Sequence, residues 1–366
     1  MEDRGRKREL SEILKPYLFT AVFTAAAVVA FLVVWIIIGG NFRQVGNESA
    51  QSGSSIEQET DQYAIAPAAD DGSGRAGIQK ATEEMLAVSG SAGRNSNDYG
   101  SWYAPRDGYC YYNGWVTLDG SQYHFNASGY MDTGWKAIGG QGCYFDETGI
   151  YDPDKDSSKM IALTFDDGPS EYTSQILDIL EQNGAKATFM ILGVQIEKYG
   201  DVIPRMISMG NTIGNHSMTH SEMLDLSVDE VVADFQNTDN LLANYGVTSA
   251  VVRFPYGDYT KDLTAAVNKP NILWDEDSLD WDSRNADSIK NEIYGLLEPG
   301  GIILMHDIYP ETVEAVSTLV PELIAQGYQL VNIEDLAASR GYELKGGVTY
   351  FSFKQLNIDQ GRVNDE

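Results

Sequence analysis

From Met160 to about Asn332 the chain alternates short apolar runs with longer amphipathic segments, and no other feature limits its fold so sharply. Short runs bounded by turn residues and followed by helical periodicity mark βα units feeding a parallel sheet. Seven such pairs can be counted, with strands expected at 160–165, 187–192, 211–215, 250–254, 271–276, 301–306 and 328–332. Closing them predicts an α/β fold, a distorted (β/α) barrel with about seven βα units. The loops after the strands of such a barrel converge on one face, so chemistry is expected at the C-terminal strand ends.

Ionisable residues gather at five of those ends: Asp166 and Asp167, His216 with His220, Arg253, Asp277 with Asp280, and His306 with Asp307. If a helix begins after Asn215, His216 and His220 share one face and both reach a single cation, with Asp167 as a third ligand. Two imidazoles and a carboxylate leave positions open for water and substrate. Asp166, next to that carboxylate, is placed to take a proton from water. Each piece alone has a plainer reading: Asp-Gly-Pro is a common turn, and two histidines four apart can be surface residues. The same ligand types also serve non-haem iron oxygenases, although those do not call for an acid and a base. A zinc peptidase of the HExxH type is disfavoured because Ser217 stands where its glutamate belongs.

Five ordered segments, Thr164-Phe165-Asp166-Asp167-Gly168-Pro169, His216-Ser217-Met218-Thr219-His220, Arg253-Phe254-Pro255-Tyr256-Gly257, Asp277-Ser278-Leu279-Asp280-Trp281 and Leu304-Met305-His306-Asp307, resemble the motifs of the polysaccharide deacetylases, the NodB-homology carbohydrate esterases. The resemblance covers about half the chain. It implies that Asp167, His216 and His220 hold a divalent metal, zinc first, with cobalt, nickel or manganese as alternatives. It implies a general base in Asp166, a general acid in His306, and supporting roles for Arg253 toward Asp166 and for Asp280 toward His306. The Tyr256 backbone N–H would stabilise the oxyanion, and Trp281 and Leu304 would wall a pocket for the acetyl methyl.

Ahead of the barrel, an internal repeat of period 20 sets Gly114-Trp115 against Gly134-Trp135 and Tyr123-His124-Phe125 against Cys143-Tyr144-Phe145. Aromatic strands separated by glycine turns predict stacked β-hairpins. They resemble choline-binding, cell-wall-binding repeats, in which aromatic side chains enclose a quaternary ammonium. Trp115, Tyr123 and Trp135 are the candidate walls. The position before the aromatic triplet, often Trp in such repeats, is Gln122 in one copy and Gly142 in the other. Cys110 and Cys143, the two cysteines, leave a single disulfide open.

Residues 17–38 run without a charge for 22 residues, enough at about 1.5 Å per residue to span the roughly 30 Å bilayer core. Arg4, Arg6, Lys7, Arg8 and Lys15 precede this run and Arg43 follows it, which predicts one transmembrane helix with the N-terminus in the cytoplasm and the rest outside. The expected organisation is a cytoplasmic tail 1–16, the helix 17–38, a flexible linker 39–100, hairpin repeats 101–153, the deacetylase domain 154–342 and a tail 343–366. A net charge of −29, from 25 Lys and Arg against 54 Asp and Glu, argues against a nucleic-acid partner. An outward-facing, wall-binding chain predicts peptidoglycan N-acetylglucosamine as substrate. Another acetylated polysaccharide, or an inactive barrel that only binds the wall, is the alternative.

Overall fold

The computed structural model describes residues 74–354. The expected cytoplasmic tail and transmembrane helix lie outside the described residues. Among the described residues, no helix is long and apolar enough to cross a membrane.

The first half is a run of antiparallel pairs: β1 (Gly77–Lys80) with β4 (Tyr109–Tyr112), β2 (Gly93–Asn97) with β3 (Gly100–Ala104), β5 (Gly114–Leu118) with β6 (Ser121–Phe125), and β7 (Gly134–Ile138) with β8 (Gln141–Phe145) and β9 (Tyr151–Asp152). The two repeat copies become the β5–β6 and β7–β8 hairpins. Asp119 and Gly120 turn the first, with φ of 50° and 86°, and Gly139 and Gly140 turn the second, at 60° and 78°. Positive φ at both loop positions matches the right-handed strand twist, hence the preference for Asp-Gly and Gly-Gly there.

Folded structure begins earlier than the expected boundary at residue 101. Residues 74–100, read as part of a flexible linker, carry β1, the helix Glu83–Val88 and β2. Thr82 caps that helix, accepting from the Met85 amide, and Met85 is fully buried with Trp102, Ala104 and Cys110. A few large side chains supplied by the next hairpins are enough to order a stretch whose own composition is polar. Cys110 and Cys143 are both free and buried.

The second half is a parallel sheet of nine strands: β10 (Met160–Asp166), β11 (Thr188–Ile191), β12 (Thr212–Asn215), β13 (Val251–Val252), β14 (Asn271–Ile272), β15 (Glu276–Asp277), β16 (Ile302–His306), β17 (Gln329–Val331) and β18 (Thr349–Tyr350). Their order is β15-β16-β10-β11-β12-β13-β14-β18, and β17 pairs with the first residues of β10, below β11. All seven residues of β10 are buried. Ile161, Leu163 and Phe165 pack into the core that includes helical residues, while Met160 and Ala162 join a separate cluster with Met190, Ile302 and Phe353. The two-residue period of the strand thus sends Thr164 and Asp166 to the same side as Met160 and Ala162.

Two expectations about the sheet are corrected. The run 271–276 is two short strands, because the chain leaves β14 beside β18 and re-enters as β15 beside β16. The tail from 343 is not free: β18 pairs with β14, Phe353 is fully buried, and the Lys354 ammonium meets Asp275 at 2.8 Å and Glu276 at 3.0 Å.

The hairpins rest directly on the barrel. Trp135 packs among Met160, Ile333, Leu336 and Ala337. A Cβ at Gly142 would lie 2.2 Å from the Ser339 carbonyl oxygen, at the end of the helix Ile333–Ser339. A large aromatic there could not coexist with this contact.

Candidate active site

The five ionisable strand ends converge. Asp166, Asp167, His216, His220, Asp277 and His306 line one cleft of about 380 Å³, together with Phe254, Tyr256, Trp274, Trp281, Leu304 and Tyr309.

Asp166 ends β10 and is nearly inaccessible. Arg253, also fully buried, donates from Nη1 to the Asp166 Oδ1 at 2.7 Å and to the Thr164 hydroxyl at 2.9 Å. Its Nε and Nη2 reach the Ile272 and Leu273 carbonyls at 2.7 and 3.0 Å. Burial pushes the Asp166 carboxyl above the usual carboxylate range, and the Arg253 guanidinium opposes that push.

His216 and His220 do not share a helix face. The segment after β12 is a loop in which Ser217 and His220 take φ of 71° and 57°. Its shape is set by hydrogen bonds: the Asn215 side-chain oxygen accepts from the Ser217 amide at 2.9 Å, and the Ser217 hydroxyl oxygen from the His220 amide at 3.0 Å. The outcome expected of a helix is reached by a turn. His216 Nδ1 lies 2.8 Å from the Arg253 carbonyl oxygen, which leaves its Nε2 facing Asp167. Burial pulls His216 down to about 3, so it is neutral at pH 7, as a metal ligand must be.

Asp167 Oδ1 stands 3.5 Å from His216 Nε2 and 3.4 Å from His220 Nε2, and it is buried without a hydrogen-bond partner. Two ligand atoms each about 2.1 Å from a tetrahedral ion are separated by roughly 3.4 Å. The three groups, whose ligand atoms all lie within 4.8 Å of one another, therefore fit a divalent cation.

His306 ends β16. Asp280 Oδ1 is 2.7 Å from its Nδ1, while Asp280 Oδ2 accepts from the His306 amide and the Thr312 hydroxyl, both at 2.7 Å. Burial alone would lower the His306 pKa, but the Asp280 hydrogen bond and charge, with Asp166 and Asp167 behind them, push it up to about 9. Leu304 is buried in the cleft wall. Tyr256 and Trp281 stand at the rim, 55% and 50% exposed, with the Tyr256 ring edge-on to His220 at 4.5 Å.

Asp307 and Tyr309, neither with an expected role, also belong to the surroundings, as do Phe254 and Trp274. Asp307 is fully buried and accepts from the Thr173 hydroxyl, and a Cβ on Gly168 would strike its carboxylate, so it fixes the loop that carries Asp167. Tyr309 lines the cleft beside His306. Asp307 belonged to the ionisable pattern. Tyr309 had no signal except its closeness in sequence to His306.

The candidate wall residues of the hairpins do not form one cage. Tyr123 and Trp135 are each 9% exposed, the first packed with Phe125 and Met131, the second against the barrel. Trp115 is half-buried, its ring centroid 5.0 Å from that of Tyr151 and 5.4 Å from that of Phe145. The aromatics are spent on packing hairpin to hairpin and hairpin to barrel.

Comparison with known proteins agrees with this geometry. A polysaccharide deacetylase family model matches residues 154–272, and a cell wall binding repeat model matches 113–131. The solved T48 deacetylase with substrate is 36% identical, with a TM-score of 0.51 over 53% of this chain and 96% of that one. The chain belongs to the polysaccharide deacetylase family. A peptidoglycan-N-acetylmuramic acid deacetylase of Bacillus subtilis is 37% identical over 182 residues, 49% of this chain and 39% of the relative. A peptidoglycan-N-acetylglucosamine deacetylase of Listeria monocytogenes is 34% identical over 201 residues, 54% of this chain and 42% of the relative. The chain thus spans about two-fifths of the length of these curated relatives.

Proposed function

We propose that the barrel hydrolyses acetamido groups on cell-wall polysaccharide, with N-acetylglucosamine of peptidoglycan as the sugar and acetate as the released product. The observation that carries this reading is that Asp166 and His306, each held by its own buried partner, face one cleft together with the three ligand atoms of Asp167, His216 and His220. The names of the relatives support the polymer.

Asp167, His216 and His220 would hold a divalent metal, zinc by the chemistry of two imidazoles and a carboxylate. Bound there, such an ion polarises a carbonyl and makes water a better nucleophile at neutral pH. Asp166 takes the proton of the attacking water, its basicity raised by burial and its orientation fixed by Arg253. His306, protonated at neutral pH through Asp280, gives a proton to the departing amine as the carbon–nitrogen bond breaks. The amine leaves neutral and acetate keeps the water oxygen. The Tyr256 amide would donate to the developing oxyanion, where one such donor is worth roughly 3 kcal/mol. Trp281 and Leu304 would bound the methyl pocket.

The hairpin module would hold the enzyme near the wall glycan or a choline-bearing wall polymer, through the surface around Trp115 and not through a three-sided cage. Residues 17–38 would anchor the chain in the membrane with the barrel outside.

Acetate release from purified peptidoglycan and from other N-acetylated polymers, with and without a chelator, tests the reading. Release from peptidoglycan that stops on chelation and returns with zinc is expected. No acetate from any of these polymers would overturn it.

A further inference from the structure

The cleft carries an aromatic ring on each flank. Tyr256 lies against His220 on the ligand side, while Tyr309 lies on the acid side, its ring centroid 5.8 Å from that of His306. The Arg284 guanidinium carbon sits 3.7 Å from the Tyr309 ring centroid, and Arg284 Nε donates to Glu311 at 3.2 Å. Arg284 adopts φ 45° at the end of the short helix Asp280–Ser283, a conformation that costs a non-glycine residue energy. That helix begins with Asp280, the partner of His306. Tyr309 itself immediately precedes the helix Pro310–Ala325, whose Thr312 also binds Asp280. The ring is therefore fixed relative to the acid through both backbones and by a guanidinium on one face, and Arg284 is absent from the residues lining the cleft.

A rigid aromatic surface loses little entropy on contact and offers a large apolar face to the C–H groups of a sugar ring. Its place beside His306, on the side of the leaving amine, sets it against the sugar and not the acetyl group. We propose that Tyr309, clamped by Arg284 and Glu311, is a stacking wall for the glycan that sets the sugar amine against His306. This rests on the deacetylase reading and adds to it a positioning pair that the five motifs do not include. Arg284 acts through Tyr309 and does not touch the glycan.

The test uses the metal-loaded full chain and the tetramer of N-acetylglucosamine, with binding read by calorimetry and turnover by acetate release. Tyr309→Ala should weaken tetramer binding roughly five- to tenfold, raising KM and, because the amine is no longer set against His306, lowering kcat as well, and Tyr309→Phe should restore both. Arg284→Ala should weaken binding in the wild-type background and add nothing in the Tyr309→Ala background, since coupled residues are non-additive. Melting temperature and metal content serve as controls for folding. Wild-type affinity in Tyr309→Ala, or equal Arg284→Ala effects in both backgrounds, overturns the proposal. A wild-type chain that binds the tetramer but releases no acetate from it, from peptidoglycan or from the other N-acetylated polymers defeats the deacetylase reading, while the affinities still decide the role of Tyr309.

Discussion

Arg253 is fully buried and Asp166 nearly so, open only toward the cleft, and the cost of stripping the pair of solvent is offset by their contact and by the Thr164, Ile272 and Leu273 oxygens. Replacing one member leaves the other stranded. Arg253→Met should destabilise the fold by about 3–5 kcal/mol near pH 7. Without Arg253 the folded-state pKa of Asp166 lies further above its unfolded value, so the deficit should grow as pH rises through the carboxylate range and shrink in acid. Denaturant melts at pH 4 and pH 7 check this. His306 gives a second pH dependence. Activity that needs protonated His306 is lost as pH rises through about 9. Asp280→Asn removes the charge that raises this pKa, so the alkaline limb of kcat should move to lower pH; a limb that stays in place would remove His306 from the acid role. Most of this chemistry was legible in the sequence because acids, bases and ligands are specific residue types at strand ends. Tyr309 and Arg284 were not, since a tyrosine or arginine in a loop looks alike whether it lines a cleft or not.

At the scale of elements, the seven apolar runs located eight of the nine strands, 271–276 holding the start of two of them, but not their partners. Residues 187–192 were expected as a strand and Thr188–Ile191 is one, whereas β18 was missed because it lies in the stretch from 343 that was read as a tail. The histidine pair was expected on a helix and stands on a loop, because spacing of four fits either a helical turn or a loop shaped by Asn215 and Ser217. Gly142 shows the converse: its departure from the repeat pattern was visible in the sequence, but its cause is the helix end at Ser339, far along the chain. Restoring the repeat consensus with Gly142→Trp should therefore lower stability by about 1–3 kcal/mol, or detach the β7–β8 hairpin from the barrel. A melting curve combined with limited proteolysis between the two detects either result. An unchanged melt and cleavage pattern would contradict the packing described.

For the whole molecule, hairpins and barrel are built together: Trp135 belongs to the same buried cluster as Met160 and Phe353, so the module is not a loosely tethered binding domain. The charge bias around residues 17–38 places both outside the membrane in the proposed topology. Protease added to intact cells lacking an outer barrier should then release the barrel with its hairpins attached, and protection until the membrane is breached would reverse the orientation. Whether the adjacent carboxylates divide the work of holding a metal and taking a proton is decided by measuring metal content and kcat together in two variants. Asp167→Asn should lose both metal and activity. Asp166→Asn should keep its metal and lose about 10²–10⁴-fold in kcat, the usual contribution of a general base. An Asp166→Asn enzyme that binds metal and releases acetate at near wild-type rate would rule out Asp166 as the general base.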